Sequence, residues 1–142
     1  MIRKIVYIIL FVSLIALLVY LVSCFVSLKS VTRIKEEIKI SQEIFYLKNE
    51  KRGLNYEITA LSKSPRKKIS YDDEDSFIYS SGETLFYKIK YDTLFIYTMH
   101  KAEYPKELKT NVVIEQIEIK NPDFIELKKT YKKRGLSIFP TN

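Results

Sequence analysis

The chain has 142 residues, 24 lysines and arginines against 17 aspartates and glutamates, and a formal net charge of +7. Its single cysteine excludes an intrachain disulfide framework and a cysteine-based metal site. Three glycines in the whole chain leave no Gly-rich phosphate-cradling loop, and the acidic residues are interleaved with the basic ones rather than set apart from a basic stripe, so nucleic acid is not the expected partner.

From Ile5 to Leu28 there is no charge, no proline and no glycine. At ~1.5 Å per residue this run makes ~36 Å of helix, against a hydrocarbon core of ~30 Å. A helix without a polar face does not suit the surface of a soluble protein. Residues 1–28 are therefore expected to form a membrane anchor, and residues 29–142 one small α+β domain. Two kinds of anchor fit. The first is a single-pass transmembrane signal-anchor. The second starts from Leu21-Val22-Ser23-Cys24, which follows Arg3, Lys4 and an apolar stretch. This segment resembles the lipobox of bacterial lipoproteins. The resemblance implies cleavage before Cys24 and lipidation of its sulfur. The apolar run continues through Phe25, Val26 and Leu28, as a spanning helix requires and a cleaved signal does not. Arg3 and Lys4 favour a cytoplasmic N-terminus, against Lys29, Arg33 and Lys35 at the other end. The short N-terminal tail suits signal-anchor insertion, which places the domain outside the cytoplasm, in a periplasm or on the cell surface.

Residues 30–48 read as a helix. Val31, Ile34, Ile38 and Phe45 fall on one side at 100° per residue, and Ile40, Ile44 and Leu47 form a second stripe. With no glycine or proline in between, the anchor is expected to continue into this amphipathic helix and stop near Asn49–Gly53. Leu54, Tyr56, Ile58 and Ala60 alternate with polar residues and predict a strand. Ser62–Lys68 is a polar loop with Pro65 and Arg66-Lys67-Lys68. Strands follow at about 76–79, 84–91, 94–99 and 111–120, with short turns at Ser80-Ser81-Gly82-Glu83 and Asp92-Thr93. Strands so closely spaced predict an antiparallel sheet of four or five strands built as a meander. Asn121 as N-cap and Pro122 at the first position open a last helix. Phe124, Leu127 and Tyr131 make its apolar stripe, Lys132-Lys133-Arg134 crowd its C-terminal end, and Gly135 suits a left-handed cap with Leu136 against Tyr131. The sheet is expected to pack on this helix and on the end of the anchor helix.

No residue set forms a catalytic, metal or cofactor signature. His100 is the only histidine and lacks ligand-spaced partners, so it reads as a surface residue. Asp72-Asp73-Glu74-Asp75 lacks the spaced ligands and glycine of a Ca²⁺ loop and reads as a solvated turn opposite Arg66-Lys67-Lys68. Lys128, Lys129, Lys132, Lys133 and Arg134 read as a solvated face, or one that meets anionic headgroups. Tyr79, Tyr87, Tyr91 and Tyr97 read as strand residues filling half-buried sheet faces. The expectation is a non-enzymatic, membrane-anchored accessory or interaction protein with no cofactor and no small-molecule substrate. Its partners are the bilayer and a protein or envelope component. A hydrophobic N-terminal helix running into an antiparallel sheet is also similar to the architecture of type IV pilins, which implies an assembly subunit. The glycine before the run and the glutamate at its fifth position, used in processing that class, are absent here.

Overall fold

The computed structural model describes residues 2–29, 31–53, 56–70, 74–79, 82–102, 105 and 108–140. Helix α1 spans Ile2–Lys29. Its side chains at Tyr7 and from Phe11 to Ser23 are exposed. Over the described residues no helix is long and apolar enough to cross a membrane.

The helix does not run on into the domain. Residues 30–48, expected to be helical, instead contribute strand β1 (Val31–Ile40) and the first part of β2 (Glu43–Arg52), which pair as an antiparallel hairpin. Half of β1 is β-branched (Val31, Thr32, Ile34, Ile38 and Ile40), and such side chains fit a pleated surface better than a helix. The two-residue connection Ser41-Gln42 turns tightly, with Ser41 in the left-handed region at φ 55°. Strands β3 (Tyr56–Ser62) and β4 (Ser76–Tyr79) complete a four-stranded antiparallel sheet, sheet A, in the order β1-β2-β3-β4.

A second sheet, sheet B, holds β5 (Leu85–Lys90), β6 (Thr93–Thr98), β7 (Val113–Glu118) and β8 (Ser137–Phe139) in the order β7-β6-β5-β8. The expected single meander of four or five strands is thus two sheets of four. Sheet B is mixed: β6 and β7 pair in parallel, Thr93 opposite Val113 through Thr98 opposite Glu118. The chain between them must therefore return the length of the sheet, and the described residues of the 99–112 connection do so without helical structure.

The inner faces of the two sheets pack together. Ile38, Ile40, Phe45, Leu47, Leu61, Phe77 and Tyr79 from sheet A meet Leu85, Tyr87, Leu94, Ile96 and Phe139 from sheet B in one buried cluster. Each outer face has its own cover. Over sheet A, Ile69 of the 63–75 connection packs on Ile58, Ala60 and Ile78. Over sheet B lies helix α2 (Asn121–Thr130), whose Phe124 and Leu127 join Phe86, Tyr97, Ile138 and Leu136. The Phe124 ring meets Phe86 edge-on, 5.4 Å between centroids at 66°. The order of layers is connection, sheet A, sheet B, helix.

The ends of α2 follow the sequence closely. Lys120, not Asn121, takes the N-cap position, without a side-chain cap bond, and Pro122 falls in the first turn. At the other end Leu136 N donates to Tyr131 O at 2.9 Å and Gly135 N to Lys132 O at 3.1 Å, the paired bonds of a Schellman cap. Gly135 takes the left-handed φ of 67° that this cap needs. Gly82 has a second constraint besides its φ of 60°: a Cβ there would come within 2.7 Å of Glu57 Cγ.

Candidate functional site

The register of sheet A gathers a set of polar residues at one end of the sandwich interior. At the end where β1 and β3 begin, Asn49 pairs with Thr59, and Thr59 with Tyr79. Asn49 Nδ2 donates to Glu57 Oε1 at 2.8 Å and to Thr59 Oγ1 at 3.2 Å. The Thr59 hydroxyl donates across the interior to Glu83 O at 3.0 Å. The Glu83 side chain is itself buried, with 2% exposure. One of its oxygens contacts His100 Nδ1, and the other accepts from His100 N at 3.4 Å. The Thr98 hydroxyl lies between Glu83 Oε2 and His100 O (3.0 Å), and donates to one at a time. A buried carboxylate thus orients an imidazole whose side chain is 70% exposed. Among the described residues, Asn49 Oδ1 and Tyr79 OH are buried here without a hydrogen-bond partner. Burial first, and then the negative charge of Glu83, push the Tyr79 hydroxyl well above the ordinary tyrosine range.

This arrangement can hold and aim an imidazole and tie the start of β5 to the end of β6. Among the described residues no group of three His, Cys, Asp or Glu side chains gathers as a metal-ligand set.

A second polar group sits on the outer face of sheet A. Glu50 is fully covered, yet Arg33 Nε reaches its Oε2 at 2.6 Å and Arg52 Nε contacts its Oε1. Burial alone would raise this carboxyl; the hydrogen bonds and charges of Arg33 and Arg52 outweigh it and hold the group below the usual carboxylate range. On the same face Lys35 Nζ stands 4.7 Å over the Tyr46 ring and donates to Pro65 O at 3.2 Å. The Arg52 guanidinium lies 5.6 Å over the Tyr56 ring.

The opposite end of the sandwich is closed by Glu43. It pairs with Lys63 Nζ at 2.8 Å and accepts from Thr110 Oγ1 and Asn111 N, each at 2.7 Å. These bonds, Lys63 first, hold the Glu43 carboxyl down at about 2. Across the middle, Tyr87 OH donates to Glu36; burial and this bond push the phenol up to about 12.

Several residues singled out in the sequence stay apart. His100 is exposed, as expected of a surface histidine, but its partner Glu83 stands in a segment whose sequence predicts only a turn. The Cys24 side chain lies outside the described residues, as do Asp72 and Asp73. Glu74 and Asp75 are exposed. Lys128, Lys129, Lys132, Lys133 and Arg134 are exposed along and just beyond α2, with Arg134 paired to Glu126 at 2.9 Å. Tyr79 and Tyr87 are buried in strands and Tyr97 is half-buried, whereas Tyr91 is a correction: it forms the β5–β6 turn at φ 55° and is 86% exposed. Sequence reasoning missed Glu50 with its two arginines, because the cross-strand register that unites Arg33 and Glu50 exists only once β1 is a strand. No protein-family model, no curated protein and no solved structure matches this chain.

Proposed function

We propose that the chain is a non-enzymatic, single-pass membrane-anchored interaction protein. In this reading residues 1–28 are the anchor, and residues 29–142 form a sandwich domain presented at the outer surface of the membrane to a protein or envelope partner. The observation that carries the reading is α1. Its sequence is uncharged from Ile5 to Leu28, and its described apolar side chains, from Tyr7 at 71% to Ile15 at 46%, are exposed. Exposing a large aliphatic or aromatic side chain to water forfeits ~1.5–3 kcal/mol relative to burying it. A bilayer removes that cost for a whole helix at once. The helix ends at Lys29 and β1 begins at Val31, so the domain is held close to the surface.

A second reading rests on Leu21-Val22-Ser23-Cys24, in which a lipid on Cys24 replaces the span. The continuation of α1 past Cys24 to Lys29 supports the span over the lipid. Alkaline carbonate extraction separates the readings when the wild type is compared with Cys24→Ser. Both chains should remain in the membrane pellet. Loss of the Cys24→Ser chain to the supernatant would establish the lipid anchor, and release of both would remove the membrane reading.

A further inference from the structure

The charges that alternate along β1 and β2 are sorted by the two faces of sheet A. Register places Arg33, Lys35, Lys39 and Arg52 on the outer face, with Glu37 as the exposed carboxylate among them. The covered carboxylate, Glu50, is held by Arg33 and Arg52, whose side chains stay 35% and 42% exposed. The connection that crosses this face adds Arg66-Lys67-Lys68, all exposed. The acidic Glu74 and Asp75 lie away from α1, where Asp75 O accepts from Lys63 N at the far end of β3. Beneath the cations are two tyrosines, Tyr46 under Lys35 and Tyr56 under Arg52.

The face also starts where the anchor stops. Arg33 is four residues beyond Lys29, within ~14 Å of the end of α1 along an extended chain. Basic residues next to a membrane-spanning helix are drawn to anionic headgroups, and tyrosine suits the same interfacial depth. The basic end of α2 is the competing surface. It belongs to the layer on the far side of sheet B, so the two cannot meet one bilayer together.

We propose that the outer face of sheet A lies against anionic lipid headgroups beside the anchor, with α2 turned away from the bilayer. This rests on the reading of α1 as the anchor.

The test uses the full chain in vesicles of phosphatidylcholine, alone or with a minority of phosphatidylglycerol. In a Cys24→Ser background, a fluorophore is placed at Ile44→Cys, opposite Lys39 in the register, or at Ile125→Cys on exposed α2. Quenching by lipids with spin-labelled headgroups reports proximity. The Ile44 label should be quenched more in the anionic vesicles, the Ile125 label equally in both, and high salt should abolish the difference. Lys39, Lys67 and Lys68 pair with no carboxylate among the described residues, so changing them to Gln spares the fold. Each change should cut the face-down population about fivefold. Equal quenching of the Ile44 label in both vesicles, or a gain at Ile125 instead, overturns the contact. A chain that fails to float with the vesicles overturns the anchor reading as well.

Discussion

Replacing Phe124 by alanine should be among the most damaging single changes in the domain. The ring is 6% exposed and stands edge-on to Phe86, itself completely buried, and the Tyr131 ring also lies 5.6 Å from Phe86. Removing a buried phenylalanine costs ~3–5 kcal/mol, the transfer term plus the cavity left behind. The edge-to-face contact with Phe86 makes up ~0.5–1.5 kcal/mol of that. A domain of this size has only ~5–15 kcal/mol to lose. With a urea dependence of ~1–3 kcal/mol per molar, the unfolding midpoint should fall by about 1–5 M. The full chain in mild detergent gives the measurement through tyrosine fluorescence, since it holds eleven tyrosines and no tryptophan. Lys129→Ala, on the exposed side of the same helix, should change stability by less than ~0.5 kcal/mol. Equal effects from the two substitutions would mean that α2 does not pack on sheet B through Phe124 and Leu127.

Acid should weaken the domain through Glu43 and Glu50. Both carboxyls sit below their ordinary value of 4.5 when folded, so the unfolded chain binds protons first as pH falls. Their contribution is complete above about 4.5 and declines below it, with the Glu43 share gone once pH drops through about 2. Urea midpoints measured over that range should fall with pH, and Glu43→Gln should flatten the fall; an unchanged slope in the variant would contradict the Lys63–Glu43 assignment. Tyr91 is a bulky residue at φ 55° in an exposed turn. Tyr91→Gly should raise stability by ~0.5–1 kcal/mol, because glycine adopts that conformation without a Cβ clash; a loss of stability would show that the ring makes a contact worth more than the strain.

The second half of the domain was the more legible in sequence. β3 to β7 lie within two or three residues of their predicted places, because turn residues separate clean period-two runs there. The α2 boundaries were readable because Pro122 and Gly135 each have one comfortable position at a helix end. Residues 30–48 misled for an identifiable reason. The inward-facing series of β1 is Ile34, Glu36, Ile38 and Ile40, and Glu36 interrupts it as a polar residue that Tyr87 satisfies from the other sheet. In β2, Leu47, Lys48, Asn49 and Glu50 are all buried, since both faces of that strand are covered. Period two is invisible under such conditions, and the surviving apolar spacing of three and four imitated a helix. The parallel β6–β7 pair and three-residue β8 have no local signature either; both depend on where the chain returns. The Glu83–His100 pair was within reach of the sequence: the expected β5–β6 hairpin, in the register that sets Phe86 opposite Tyr97, carries Glu83 to His100 just beyond the strand ends.

The central claim is that α1 itself holds the chain in the bilayer. The most direct measurement is the intact mass of the protein recovered from carbonate-washed membranes. A chain that retains residues 1–28, without acyl chains on Cys24, is the result the account predicts. A mass beginning at Cys24 with lipid attached, or a protein found only in the soluble fraction, would contradict it.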